Sequence, residues 1–117
     1  MFKTNVIEVG ELAFFESFPL LVLFNDSAPD GLRDVCIIHE PEEPLKQDIL
    51  FVGGEVHFDD QVYTIEKVGP IANKNLQELG HVSMYFEIEN ELLPGAVLLS
   101  PSHVPKVEVN TTIKIIP

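Results

Sequence analysis

The chain has 117 residues, which predicts a single domain over residues 1–117, and its one cysteine, Cys36, excludes an internal disulfide. Seven basic residues against nineteen acidic ones give a net charge of -12, so nucleic acid and an anionic membrane surface are poor partners. A basic protein partner would instead be attracted.

The longest apolar run, Leu20–Phe24, is far shorter than the roughly 20 residues of a membrane-spanning helix. The first residues lack the apolar region and the small-residue cleavage site of a signal peptide. We therefore expect a cytoplasmic protein without direct membrane insertion.

Prolines and glycines divide the chain into short segments, most of which have the β-branched and apolar composition of strands. In chain order, the predicted strands are Phe2–Val9, Leu20–Phe24, Val35–His39, Glu55–Phe58, Gln61–Val68, His81–Ile88, Ala96–Leu99 and Thr111–Ile116. Alternation is clearest in His81–Ile88, where Val82 and Met84 share one face and His81 lies on the other.

Helix is scarce in the predicted structure. Asn73–Gly80 begins with a residue that favours the N-cap and ends with a glycine stop, which is typical of a helix of one or two turns. Gly10–Phe18 is a second candidate for a short helix. The fold class predicted is all-β: a small closed or nearly closed antiparallel β-barrel of about six main strands with one or two short helices.

The four histidines are the main candidates for chemistry: His39, His57, His81 and His103. No two of them have the short spacing of a metal-binding helix or strand, so a metal site would have to be assembled from distant segments. His57 lies inside a hairpin strand and His103 in a proline-flanked loop, positions that favour structural or exposed side chains. Cys36, in the middle of an apolar run, is interpreted as a buried, inert thiol.

His39 has the setting of a phosphoryl acceptor. It ends the predicted strand Val35–His39, so a rigid backbone would hold it while its ring reaches solvent, and an acidic loop, Glu40–Pro44, follows. Neutral imidazole is nucleophilic near pH 7, and a hydrogen bond to one ring nitrogen selects the nitrogen that attacks. The alternative is an ordinary surface histidine beside a solvated acidic turn.

His81 follows the helix stop Gly80 and is a candidate supporting group, which would bind a phosphate oxygen or orient His39. Asn75 and Glu78, on the preceding helix, are candidates to orient either imidazole ring. The alternative for His81 is a structural histidine of the barrel.

Two segments resemble a known family. The string Asn75-Leu76-Gln77-Glu78-Leu79-Gly80-His81-Val82, followed by Pro94-Gly95-Ala96-Val97, is similar to the signature region of the glucitol/sorbitol-specific IIA proteins of the bacterial phosphotransferase system. The segment Ala28-Pro29, then Val35-Cys36-Ile37-Ile38-His39, resembles the part of that family that bears its phosphorylated histidine. With its length and segment order, the resemblance spans nearly the whole chain.

The resemblance implies a phosphoryl relay and a small six-stranded barrel. HPr would phosphorylate His39, which would pass the group to a cysteine of the IIB part of a IIB/IIC membrane permease for sorbitol. No metal or other cofactor is implied. The segment Glu40–Pro44 is more acidic and richer in proline than the resemblance leads us to expect, and its carboxylates would oppose phosphorylation unless they point away from His39.

Two other functions remain open on the sequence. One is a non-catalytic β-barrel that binds a protein or a polyol and has a regulatory role. The other is a metal-dependent barrel enzyme that uses His39, His57 and His81. The transported polyol and the oligomeric state are not encoded in any motif, and a homodimer is one option.

Overall fold

The computed structural model describes residues 1–15 and 18–117. Its elements, in chain order, are β1 (Phe2–Val9), β2 (Leu20–Phe24), α1 (Asp30–Arg33), β3 (Ile37–Pro41), β4 (Glu55–Phe58), β5 (Gln61–Val68), α2 (Ala72–Leu79), β6 (Val82–Tyr85), β7 (Ala96–Ser100) and β8 (Thr112–Ile116).

The strands close into a barrel in the order β1-β3-β2-β6-β7-β5-β4-β8, which confirms the predicted small all-β barrel with two short helices. The barrel has eight strands rather than about six. Two of its pairings, β2 with β3 and β6 with β7, are parallel, and the others are antiparallel. Because every described strand has a neighbour on both sides, this part of the chain leaves no strand edge for edge-to-edge dimerisation.

Strands β3 and β6 differ from the prediction by two residues or more at one or both ends. Residues 35–36 continue the turn after α1, where the amides of Val35 and Cys36 donate to the carbonyls of Leu32 and Arg33, so β3 begins later than predicted. It also runs on to Pro41, which pairs with Thr4 of β1. Strand β6 ends at Tyr85, and the next three residues lie outside it.

Helix α2 closes one end of the barrel. It joins the end of β5 to the start of β6, and its apolar side chains, Ala72 and Leu76, join the core inside the barrel. The Asn73 side chain accepts the amides of Ile49 and Leu50 and donates to the Leu50 carbonyl, which attaches the long β3–β4 loop to the helix. The turn between β4 and β5 lies at the opposite end.

The helix predicted over Gly10–Phe18 is not present in the described residues of that segment, since residues 10–15 form a turn and irregular chain. Residues 16–17 lie outside the described part. A second apolar cluster lies on the outer face of the barrel and consists of Phe24, Ala28, Cys36 and Ile38. The other short helix is α1, which contributes no buried residue. The predicted burial of Cys36 is confirmed.

Candidate functional site

His39 is the third residue of β3 and has no exposed surface. It pairs with Val6 of β1 and shares the inward face of β3 with Ile37, and both of these neighbours belong to the core. The expectation that His39 ends its strand and reaches solvent is therefore wrong. The strand continues for two residues beyond it, and its ring lies within the barrel wall.

Both ring nitrogens of His39 have a partner. The Thr4 hydroxyl lies 2.6 Å from Nδ1, and the Gly80 carbonyl oxygen lies 2.6 Å from Nε2. A carbonyl oxygen only accepts, so Nε2 carries the proton. In the neutral ring Nδ1 is then an acceptor, and the Thr4 hydroxyl donates to it.

Burial holds the pKa of His39 below its ordinary value of 6.5, and the hydrogen bond to Gly80 offsets this only in part. The ring is consequently a neutral, desolvated base near pH 7. No charged group contributes to this shift. A neutral imidazole is the form in which histidine acts as a nucleophile.

Gly80 covers His39, and both its backbone conformation and the small space around its Cα favour glycine at this position. Its φ of 61° is left-handed, and it ends α2 as the C-cap. A Cβ there would stand 2.8 Å from the Asn25 Cβ and 3.1 Å from the His39 Nε2. The glycine that predicted the helix stop thus also permits the close approach of the chain to the histidine.

Hydrogen bonds fasten the turn around Gly80 to the end of β2. The Asn25 amide donates to the Leu79 carbonyl at 3.1 Å, and His81 Nδ1 donates to the Leu23 carbonyl at 3.0 Å. The His81 ring also stacks on Phe24, with centroids 4.8 Å apart. His81, the predicted supporting residue, is therefore adjacent to Gly80, which covers His39. Its Nδ1 makes the hydrogen bond to Leu23, and its Nε2 takes no part in this attachment.

Asn75 and Glu78, the other two candidates, do not reach either histidine ring with their side chains. The Asn75 carbonyl accepts the His81 amide at 3.2 Å, so this residue supports the His81 backbone. Its side-chain nitrogen lies instead beside Gly95. Glu78 is exposed on α2.

The carboxylates that follow His39 point away from it. Glu40 is exposed and, as the next residue of the same strand, faces the outside of the barrel. Glu42 lies near Lys3 and Asn5 of β1, with its carboxylate 3.6 Å from the Lys3 ammonium. Glu43 lines a surface groove together with Lys3 and Glu42. The electrostatic conflict expected from the sequence is therefore removed by the direction of these side chains.

The remaining histidines lie elsewhere. His57 pairs with Glu55 on β4 at 2.8 Å, and His103 is exposed in the loop after β7. Within residues 1–15 and 18–117, no three histidine, cysteine or carboxylate side chains come together as a metal site. His39, His57 and His81 are therefore not gathered into the centre that a metal-dependent barrel enzyme would need.

Sequence reasoning missed two residues of the site, Thr4 and Asn25. Thr4 did carry a signal, because it occupies the middle of the inward-facing series Phe2, Thr4 and Val6, where a polar residue in a buried row needs a partner. Asn25 contributes its backbone amide, which has no sequence signal.

In the described part of the chain, no helix is of the length and apolar character that crossing a membrane requires.

Comparisons with known proteins point to one family. The family model described as "PTS system glucitol/sorbitol-specific IIA component" matches residues 1–114. The glucitol/sorbitol-specific EIIA components of Escherichia coli K12 and Shigella flexneri are each 34% identical to the chain over 99 residues, covering 83% of this chain and 79% of theirs. A crystal structure of a PTS system IIA component from Enterococcus faecalis V583 superposes with a TM-score of 0.91 at 31% identity, over 98% of this chain and 99% of that one.

Proposed function

The chain belongs to the family of glucitol/sorbitol-specific IIA components of the phosphotransferase system, and on this premise we propose that it is a phosphocarrier with His39 as its acceptor. It takes a phosphoryl group from phospho-HPr and passes it to the IIB cysteine of a IIB/IIC sorbitol permease. In this proposal residues 1–117 act as one domain, in the cytoplasm, as the transferase component of the relay.

One observation carries the choice of residue: His39 is a fully buried, neutral imidazole whose two nitrogens are held by Thr4 and Gly80. Burying an imidazole costs stability unless its nitrogens are hydrogen-bonded, a requirement that an apolar residue at this core position would not have, so the histidine and its partners indicate a role beyond packing. The other three histidines are at least partly exposed, and none is held in this way.

Nε2 is the nitrogen that a small movement can uncover. Nδ1 faces Thr4 on β1, a strand paired on both sides, whereas Nε2 faces the carbonyl of a turn. We infer that the turn around Gly80 swings away when the partner docks, which breaks the contact to Nε2 and the hydrogen bond from Asn25 to Leu79. Turns between elements move at lower cost than paired strands.

The transfer exchanges one nitrogen–phosphorus bond for another. Nε2 must first lose its proton while Nδ1 gains one, after which the Nε2 lone pair forms the new bond as the bond in the donor phosphohistidine breaks. The departing ring takes up a proton from solvent on its other nitrogen and leaves neutral, and phosphorylated His39 keeps its Nδ1 proton. Positioning and charge stabilisation supply most of the catalysis in such transfers.

His81 is the proposed supporting group for the phosphorylated state. Its Nδ1 is already fixed on the Leu23 carbonyl, so its Nε2 is the atom available to a phosphate oxygen on His39. In this proposal Asn75 supports the His81 backbone, because its carbonyl accepts the His81 amide. Glu78 lies on the exposed face of the same helix, where it would meet the partner.

The proposal is tested by labelling with radioactive phosphoenolpyruvate, enzyme I and HPr. The wild-type protein should take up one phosphate that is labile in acid and stable in base, and His39→Ala should take up none. His103→Ala is the matched control, because it removes an exposed histidine, and it should label like the wild type. Label on His39→Ala would exclude the assignment. Binding of HPr without any label would favour the regulatory binding module instead.

A further inference from the structure

We propose that Thr4 is a positioning residue for phosphoryl transfer, because its hydroxyl can act as donor to the resting ring of His39 and as acceptor from the reacting ring. The inference rests on the proposed function of His39. It adds a residue that no sequence motif indicated, on a strand 35 positions away from the histidine in the chain.

The geometry sets Thr4 apart from an ordinary buried threonine. Its side chain has no exposed surface, and the neighbours on its face of β1, Phe2 and Val6, are core residues. Its hydroxyl makes a side-chain hydrogen bond at 2.6 Å, and the partner is Nδ1 of His39. A valine would fill almost the same volume without burying a polar group, so packing gives no reason for a hydroxyl here.

The chemistry requires a partner that can reverse its role. In the resting state Nε2 is protonated and Nδ1 accepts, so the hydroxyl must donate. Before transfer the proton must be on Nδ1, so that the Nε2 lone pair is free, and the partner must then accept. A hydroxyl does both by rotating its hydrogen, whereas a carbonyl, a carboxylate or an amide nitrogen does only one.

Thr4 accelerates the reaction in the tautomer that carries its proton on Nδ1. As Nε2 gives its lone pair to phosphorus, positive charge develops on the ring and the Nδ1 proton becomes more acidic. The hydrogen bond from Nδ1 to the Thr4 oxygen therefore strengthens as the transition state forms. An interaction that grows in this way raises the rate of the chemical step.

The experiment measures single-turnover phosphorylation of His39 by phospho-HPr in Thr4→Val, which keeps the shape, and Thr4→Ser, which keeps the hydroxyl. Thr4→Val should be slower by roughly tenfold or more, while Thr4→Ser should stay within about threefold of the wild type. Thr111→Val is the matched control, since Thr111 is also buried but its hydroxyl accepts the Glu108 amide. It should react at the wild-type rate.

A spectroscopic readout separates positioning from general stability. The ¹⁵N resonance of Nδ1 in resting His39 should move toward the value of an imidazole nitrogen without a hydrogen bond in Thr4→Val, and should keep its wild-type value in Thr4→Ser and Thr111→Val. If Thr4→Val does not fold, phosphorylated wild type still tests the proposal. Its Nδ1 proton should exchange slowly with water, and fast exchange would overturn the role of Thr4.

The possible failures are distinguishable. A folded Thr4→Val that reacts within about twofold of the wild-type rate overturns the role of Thr4 and leaves His39 as the carrier. The proposed function is overturned if the wild type takes up no label or if His39→Ala does take up label. The role of Thr4 in transfer is then overturned as well.

Discussion

At the scale of single residues, the neutral state of His39 has a cost that appears when the pH falls. The folded protein holds the pKa of His39 below 6.5, whereas the unfolded chain has the ordinary value. Below pH 6.5 the unfolded state therefore binds a proton that the folded state does not. The stability that depends on neutral His39 is present above this pH and is lost as the pH decreases.

The prediction compares the wild type with His39→Gln. Between pH 6.5 and pH 5, the free energy of unfolding of the wild type should fall by up to about 1.4 kcal/mol per pH unit more than that of the variant. Urea unfolding at fixed ionic strength measures the difference. His103→Gln, which removes an exposed histidine, should keep the wild-type slope. Parallel slopes for the wild type and His39→Gln would contradict the buried neutral ring.

Gly80 gives a second prediction at this scale. Gly80→Ala should lower the free energy of unfolding by about 1–2 kcal/mol, because alanine is disfavoured at a φ of 61° and its Cβ would clash with Asn25. Gly31→Ala is the control, since a Cβ at that position in α1 meets nothing within 4 Å. It should be neutral or slightly stabilising. Thermal unfolding of both variants would show whether Gly80 alone is sensitive.

At the scale of elements, α2 matters because it holds the turn that covers His39. Leu76 is 3% exposed and packs into the barrel, whereas Leu79, on the same helix, is 40% exposed. Leu76→Ala should cost about 2–4 kcal/mol of stability and Leu79→Ala less than about 1 kcal/mol. Chemical denaturation measures both. Equal losses would mean that α2 does not close the barrel as described.

The sequence was informative about elements with strong local signals and less so about their pairing. The end of α2 could be predicted because Gly80 stops it, whereas the predicted N-cap was wrong: the N-cap is Ile71, and Asn73 lies within the helix. The limits of β3 could not be predicted, because they depend on pairing with β1 and on the turn that follows α1. For the same reason, His39 could be selected as a candidate while its burial and its contact with Thr4 could not: both come from residues distant in the chain.

The two parallel pairings show the same limit. Strand β2 is a short apolar segment and β6 alternates between apolar and polar residues, and neither pattern identified which neighbour would be parallel. The structure places β2 between β3 and β6. This order brings the end of β2 and the following Asn25 beside the turn at Gly80. The parallel pairing of β2 with β3 is therefore part of what builds the site.

At the scale of the whole molecule, the net charge of -12 has a direct consequence for the proposed relay. A basic surface around the donor histidine of the partner would be drawn toward this protein over tens of ångströms at low salt. The value of kcat/KM for phosphorylation by phospho-HPr should fall by about tenfold as the ionic strength rises from about 0.01 M to 0.3 M. Stopped reactions at several salt concentrations measure it.

The location of the charge can be tested with two exposed carboxylates. Glu78 lies on α2, at the end of the barrel near Gly80, and Asp60 lies in the β4–β5 turn at the other end. Glu78→Gln should lower kcat/KM at low salt and have little effect at high salt, whereas Asp60→Asn should have little effect at either. Phosphoramidate, a small anionic donor, should show the opposite salt dependence, because screening relieves its repulsion by an acidic protein. Equal effects of the two substitutions would place the docking surface away from α2, and a rate independent of salt would mean that the acidic surface does not steer the partner.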